Sequence, residues 1–429
     1  MVVQRKIALS RYLFFLYLII PMLIVDKLSY GQNNIIKNPC PIEADIWVLA
    51  GQSQMAGAGR EPDTTTNPNI MMLNMDNSWM IAQEPLHRIF ETTAPAYEIC
   101  YCDLLPEPLK NSEEGHEQYR KLAVQSKENP VGGIGPGMYF AKHVYKNTDK
   151  PIGLIPSALG GSRMDQWYPR LKSQGDSSLY GAMINRIHSV GIENIKGFIW
   201  SQGESEAMIL KTEEYEGYLL NLIKSVRDEV KNPELPVLLV QCGRFIHYDT
   251  KQDRTWEEIR EIQRRVAQIT QNVYMVTGID LPLDDCAHIS TDGQKRLGKR
   301  LAEIALTYVY EQPGHAKQIE LESIKMCKDD KTGSNYLQLH YNGVCGKLSA
   351  CGRPAQFELR VNGEPCIEWV VAKVELDDED PAGLKLYLSA VPDEPAQLIC
   401  GNGTNPYMNI TDSLDNPIPA FGPIDIPLK

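Results

Sequence analysis

The chain has 429 residues, 43% hydrophobic and 23% charged, a balance that excludes a disordered or collagen-like polymer and leaves room for one large core plus a second domain. Its formal net charge of −12 offers a polyanion no attractive field, which excludes nucleic acid as the main partner and leaves uncharged substrates open.

Residues 1–31 have the form of an export signal. Arg5, Lys6 and Arg11 precede an almost wholly apolar run from Tyr12 to Val25, and Ser29-Tyr30-Gly31 offers small residues for cleavage. That run holds 14 residues and contains Pro21, whereas about 20 are needed to span a bilayer. The expectation is an exported protein, periplasmic, extracellular or held at the cell surface, with no stable transmembrane span after cleavage; a retained anchor is the alternative. All ten cysteines, at 40, 100, 102, 242, 286, 327, 345, 351, 366 and 400, follow this signal and could pair in an exported chain. Cys345 and Cys351 flank a short loop and are expected to form a local bridge. Cys100 and Cys102, read as two apart on a strand, point the same way and would pair elsewhere. No Cys-x-x-Cys pair and no histidine cluster occurs, so no metal is expected.

Asp45 to Ala50 is a short apolar run that stops at the small, polar turn Gly51-Gln52-Ser53-Gln54-Met55-Ala56-Gly57. Its length and bulk predict a strand buried on both faces. Such a strand delivers Ser53 to the carboxyl edge of a sheet, where ligands collect. Met55 in the fifth position separates this turn from the Gly-x-Ser-x-Gly elbow. Residues 61–130, punctuated by Pro62, Pro68, Pro85, Pro95, Pro106 and Pro108, read as long loops over the active-site face. Gly132-Gly133-Ile134-Gly135-Pro136-Gly137 then leads into a helical pattern from Met138 to Tyr145; as a phosphate cradle it lacks the Lys-Ser or Lys-Thr ending.

From Pro151 onward strand and helix alternate. Strands are expected at 151–156, 196–202, 236–242 and 272–277, and helices at 178–190, 212–230, 254–270 and 291–310. Such alternation implies a parallel sheet covered by helices on both faces. With the opening strand it predicts a three-layer α/β/α sandwich with a five-stranded parallel sheet over residues 32–312. Gln312-Pro313-Gly314-His315 breaks the last helix. Beyond it the period falls to two, at 336–341, 356–361 and 384–388, with turns such as Val361-Asn362-Gly363-Glu364, predicting a small all-β domain over 318–429. Its aromatics, Tyr336, Tyr341, Trp369, Tyr387 and Tyr407, suit a core or a sugar platform. Asn402-Gly403-Thr404 and Asn409-Ile410-Thr411 are glycosylation sequons.

A serine nucleophile needs a base, a group that orients the base, and donors for the oxyanion. In the loop after the fifth strand, Leu283-Asp284-Asp285-Cys286-Ala287-His288 supplies the base as His288. Asp285, three residues earlier, can fold back to hold its tautomer; Asp284 is the alternative orienter. Ser157-Ala158-Leu159-Gly160-Gly161-Ser162 and Trp200-Ser201-Gln202-Gly203-Glu204-Ser205-Glu206 end two further strands, bringing backbone N–H groups and a side-chain amide. Each signal alone fits an ordinary turn or a solvated loop. Four of them at four strand ends define a candidate site.

Gly51-Gln52-Ser53-Gln54-Met55, Gly160-Gly161-Ser162 with Trp167, Trp200-Ser201-Gln202-Gly203-Glu204-Ser205 and Asp285-Cys286-Ala287-His288 resemble the ordered blocks of the sialate O-acetylesterase family, a carbohydrate-esterase branch of the SGNH, or GDSL-like, hydrolases. The tail from Cys400 to Pro423 also looks like that family's C-terminal β region. The resemblance implies the SGNH-like sandwich and an exported serine esterase that removes O-acetyl groups from a carbohydrate, sialic acid or a plant-type glycan, without metal or cofactor. It implies Ser53 as nucleophile, His288 as base and Asp285 as its orienter. The Ser53 N–H, Gly161 N–H and Gln202 side chain would form the oxyanion hole, with Gln52 and Glu204 in support. Arg163 and Trp167 are the expected sugar contacts. Gln54, commonly Asn in the family, and Glu206, commonly Asp or Asn, depart from the pattern beside the chemistry. Cys286 inside the Asp-x-x-His loop is a further departure, and a disulfide there could pin the base loop. The alternatives are a carbohydrate-binding protein on the same fold and a lipase-like esterase.

Overall fold

A computed structural model describes residues 43–61, 63–209, 211–247 and 250–427; the expected export signal and Cys40 lie outside the described residues. The main sheet has seven strands among these: β1 (Asp45–Gly51), β2 (Ile70–Leu73), β3 (Trp79–Ile81), β4 (Ile152–Pro156), β5 (Ile195–Ser201), β6 (Val237–Gln241) and β7 (Val273–Thr277). Their order is β3-β2-β4-β1-β5-β6-β7. Every neighbouring pair is parallel except β2 with β3. Trp47, Val48 and Leu49 of β1 are fully buried, each worth about 1.5–3 kcal/mol by transfer from water.

The five expected strands are all present, and the sheet is wider by two. Residues 61–130 supply β2 and β3, so that segment is not a set of loops alone. It also contributes two helices. Counting from the four-residue turn α1 (Ser53–Ala56), these are α2 (Pro95–Leu104) and α3 (Glu113–Ser126). The strands were hidden by their brevity, four and three residues, too short for any period to show. Pro95 opens α2 at its first turn, the one helical place where a missing N–H costs nothing. Cys100 and Cys102 therefore sit on a helix, where residues two apart diverge around the axis.

The remaining helices are α4 (Gly137–Thr148), α5 (Leu179–Ser189), α6 (Glu204–Ile209), α7 (Tyr215–Glu229), α8 (Asp253–Ile269) and α9 (Thr291–Tyr308); all but the short α6, which follows Gln202 directly, lie where the alternation placed a helix. Ser178 caps α5 by accepting from the Gly181 N–H at 3.0 Å, and Ser290 caps α9 through the Gly293 N–H at 3.2 Å, each satisfying an orphan donor of the first turn. The central strands β1, β4 and β6 are buried along nearly their whole length, as a sheet covered on both faces requires.

The strands from Glu320 onward form smaller antiparallel sheets around a second apolar cluster that includes Leu337, Leu339, Leu384, Leu386 and Leu398. Val361 pairs with Glu364 across Asn362 and Gly363, whose φ values are 52° and 80°. That is the mirror-image turn for which Asn-Gly is the preferred pair. This region is bound into the main core. Gln241 at the end of β6 exchanges two hydrogen bonds with Ala420, donating at 2.8 Å and accepting at 3.1 Å. Arg260 of α8, fully buried, donates to the carbonyls of Cys242, Gly243, Gly401, Gly403 and Thr404 at 2.6–3.2 Å. Burying a guanidinium costs on the order of several kcal/mol, so a complete set of carbonyl partners is what makes the position tenable. On the other side of β7, Arg300 bonds both oxygens of Asp280 at 2.7 Å and the Asp415 carbonyl at 2.7 Å.

All nine described cysteines are free. The expected Cys345–Cys351 bridge is absent because the intervening chain leaves the loop: Ser349–Ala350 pairs with Ile410–Thr411, and Leu348 is buried. Cys286 is likewise unbridged. Both sequons are engaged in structure, the Asn402 amide donating to Glu358 and the Asn409 amide to the carbonyls of Cys351 and Arg353. Of the aromatics weighed as a platform, Tyr341 is core and Tyr407 is exposed.

Candidate active site

The site lies beyond the carboxyl ends of the strands, where the chain crosses from β4 to β5 on either side of β1. Gly51 ends β1 at φ +126°, and a Cβ there would overlap the carbonyl oxygen of Ser201 on β5. Only glycine lets the two strand ends come this close. The chain then turns through Gln52, whose N–H donates to the Ser201 carbonyl at 2.8 Å and whose side chain accepts from the Ser205 N–H at 3.3 Å. Ser53 opens α1 and is only 4% exposed.

The glycine-rich loop at 132–137 closes over this turn. A Cβ on Gly133 or Gly135 would run into the backbone of Gly57 and Met55, and Gly59 pairs with Ile134 as a short bridge. Gly133 and Gly135 thus serve close packing against α1 and the Gly57 that ends it.

His288 arrives from the far edge of the sheet on the loop after β7. Its Nδ1 lies 2.7 Å from Asp285 Oδ2, while Asp285 Oδ1 accepts from the N–H groups of Ala287 and His288, both at 2.8 Å. The Asp284 N–H donates to the His288 carbonyl at 2.9 Å, and the exposed Asp284 side chain takes no part. Burial pushes the Asp285 carboxyl up, but the hydrogen bond and charge of His288 and the two backbone donors outweigh it and hold Asp285 below the ordinary carboxylate range. His288 is 2% exposed, and its Nε2 is buried without a hydrogen-bond partner. An imidazole anchored through Nδ1 with Nε2 unclaimed is arranged to accept a proton.

After β4, the Ser162 hydroxyl donates to the Gly51 carbonyl at 3.2 Å and accepts from Trp167 Nε1 at 2.9 Å. Gly161, at φ +71°, lies in this turn. After β5, Gln202 Nε2 donates to Glu206 and, at 3.3 Å, to the Ser162 carbonyl. Glu206 also accepts from the Met164 N–H at 2.6 Å; burial raises its carboxyl to about 7 against these donors. Burial likewise raises Glu204, opposed by its own backbone N–H, the charge of His288 and the Cys242 thiol. One Glu204 oxygen has no partner.

The four sequence blocks thus converge on one edge. Trp167 is the exception among the expected sugar contacts. It is fully buried, edge-on to Trp200 with ring centroids 5.5 Å apart, so it braces the Ser162 turn and has no ring face left for a sugar. Arg163 stays on the rim, about a third exposed and held by Asp165 at 3.1 Å and Asp103 at 3.4 Å. Two residues that the sequence named without giving them a role hold hydrogen bonds here, Ser162 between Gly51 and Trp167 and Gln54 across to the His288 loop. Only the position of Gln54 beside Ser53 could have pointed to it.

A family model described as carbohydrate esterase, sialic acid-specific acetylesterase, matches residues 43–307, more than half of the chain. Among solved structures, the crystal structure of a carbohydrate acetylesterase from Xanthomonas citri is similar with a TM-score of 0.61 and 17% identity, over 88% of this chain and 80% of that one. At that identity the likeness speaks to the fold. A protein from Arabidopsis thaliana is 27% identical over 62% of this chain and 98% of its own, with a TM-score of 0.45. NanS is 15% identical over 63% and 99%, also at 0.45. No sequence among curated proteins matches significantly.

Proposed function

The chain belongs to the family of sialic acid-specific acetylesterases, a group of carbohydrate esterases, and from that premise we propose that it removes O-acetyl groups from glycans through Ser53, His288 and Asp285. The observation that carries the reading is the His288 imidazole, held through Nδ1 at 2.7 Å by Asp285 with Nε2 buried and unpartnered beside the Ser53 turn. Ser53 Oγ attacks the acetyl carbonyl carbon as His288 Nε2 takes its proton. Asp285 stabilises the imidazolium that results. The carbonyl oxygen, now negative, is met by the N–H groups of Ser53 and Gly161 and by Gln202 Nε2. Of the two bonds that nitrogen makes, the 3.3 Å contact to the Ser162 carbonyl is the one an oxyanion can replace. Collapse expels the sugar oxygen, which takes the proton back from His288. Water, activated by the same nitrogen, then releases acetate. Arg163, about a third exposed on the rim, is the proposed contact to the sugar.

Acetate release from O-acetylated sialoglycan and acetylated xylan, with a chain-length series of nitrophenyl esters in parallel, tests this reading. Turnover is expected to fall steeply from acetyl to butyryl and beyond. A preference for long acyl chains would favour a lipase-like esterase, and binding of glycan without turnover would favour a lectin-like protein on this fold. Export through residues 1–31 belongs to the same proposal. The intact mass of protein recovered outside the cytoplasm is expected to lack that segment; a mass that retains it would favour the retained anchor, and protein found only in the cytoplasm would sink export.

A further inference from the structure

The nucleophile and the base lie 235 positions apart in the chain and on different elements, yet one side chain joins them. Gln54, the residue after Ser53, is 3% exposed. Its Nε2 donates to the Ala287 carbonyl at 2.6 Å and its Oε1 accepts from the Ile289 N–H at 3.2 Å. These are the backbone groups on either side of His288. The amide thus pairs with the base loop as a neighbouring strand would, using one donor and one acceptor. From below, Gln294 of α9 donates to the Gln54 carbonyl at 3.2 Å, which fixes the depth of the turn that carries both Ser53 and Gln54.

With this bond pair the main chain around His288 is fully engaged. Asp285 takes the N–H groups of Ala287 and His288, the Asp284 N–H takes the His288 carbonyl, and Gln54 takes the two groups that remain. Asp285 and Gln54 do different work. Asp285 sets the tautomer and plane of the imidazole from within its own loop. Gln54 refers that loop to the element carrying the nucleophile. Without it the loop keeps its internal geometry but loses its registration against Ser53.

We propose that Gln54 is the positioning residue of this site, holding the His288 loop at the height where Nε2 can take the proton of Ser53. The inference rests on the esterase reading above and adds to it a residue that touches neither substrate nor reacting atom. A displacement of about 1 Å between reacting groups can cost about 10²-fold in rate, so the effect belongs in turnover and not in substrate affinity.

The test compares wild type with Gln54→Ala and Gln54→Glu on 4-nitrophenyl acetate, with hydrogen exchange of the 283–290 segment measured alongside. Gln54→Glu is nearly isosteric and keeps the acceptor for Ile289 while losing the donor to Ala287, so the proposal stays testable should the alanine variant fold poorly. Expected is a fall in kcat of about 10²-fold with KM within about threefold, and faster exchange at 283–290 than in wild type while the remaining segments keep their wild-type rates. Unchanged kcat in both variants, a loss confined to KM, or unchanged exchange would each overturn the role. An inert wild type would overturn the esterase reading and this role with it. An active wild type matched by both variants would overturn the role of Gln54 alone.

Discussion

Replacing Ser53 with alanine is expected to lower turnover by about 10⁶, the scale of loss when a triad nucleophile is removed. The reasoning is geometric. Ser53 is the hydroxyl at the end of β1, in a turn tied by Gln54 to both neighbours of His288. Removing it leaves the oxyanion donors and His288 in place, so the residual rate should be that of substrate positioning alone, about 10³–10⁴ above the uncatalysed reaction. Folding is not expected to suffer, since alanine fills the same small buried space. Acetate release in a coupled assay and a melting curve check both halves. If Ser53→Ala turns over at the wild-type rate, the nucleophile is elsewhere and the esterase mechanism proposed here falls.

The second large effect is expected from Asp285→Asn, a loss of about 10⁴ in kcat, the size seen when an orienting carboxylate becomes an amide elsewhere. Here the structure fixes which way the amide must sit. Asp285 Oδ1 accepts from two backbone N–H groups at 2.8 Å, a place that only an oxygen can occupy. The asparagine NH₂ must then take the other position, 2.7 Å from His288 Nδ1, and being a donor it forces Nδ1 to accept. The imidazole proton moves to Nε2, which can no longer accept one from Ser53. Asp284→Asn provides the contrast: its side chain is exposed and activity should stay within about twofold, as for surface changes away from such features. Equal loss in both variants would mean that the loop fails as a whole and that the tautomer argument is wrong.

Much of this site was legible because its parts are local in sequence. The Ser53 turn, the Gly160-Gly161-Ser162 turn, the Gln202 strand end and the Asp285-to-His288 loop each carry their residues within a few positions. Asp285 over Asp284 is also a local matter, since three residues is one turn and the carboxyl folds back on its own loop. The five strands with their alternating helices were readable for the same reason: a buried parallel strand is a continuous apolar run, and a covering helix repeats every 3.6 residues.

What failed to show was non-local or too short. β2 and β3 have no period to read in four and three residues; they are strands because β4 offers a free edge. Trp167 has the composition of a sugar platform, and only its burial against Trp200 makes it a brace. The glycines at 132–137 lack the ending of a phosphate loop in sequence, and the role of Gly133 and Gly135 as packing surfaces appears only once the Met55–Ala58 turn lies against them. Cys345 and Cys351 are close along the chain but stay unbridged where Ser349–Ala350 takes Ile410–Thr411 as its strand partner.

The amino-acid order by itself determined the layered fold, the edge at which chemistry can occur and the residue types present there, because those follow from hydrophobic period and turn chemistry over short windows. The tertiary structure decided how the pieces are held in register. Gln54 reaching the backbone on either side of His288, Arg260 reaching Gly401, and Gln241 pairing with Ala420 span 141 to 235 positions. A hydrogen bond specifies its partner by distance and angle in space, and no window of sequence contains that information.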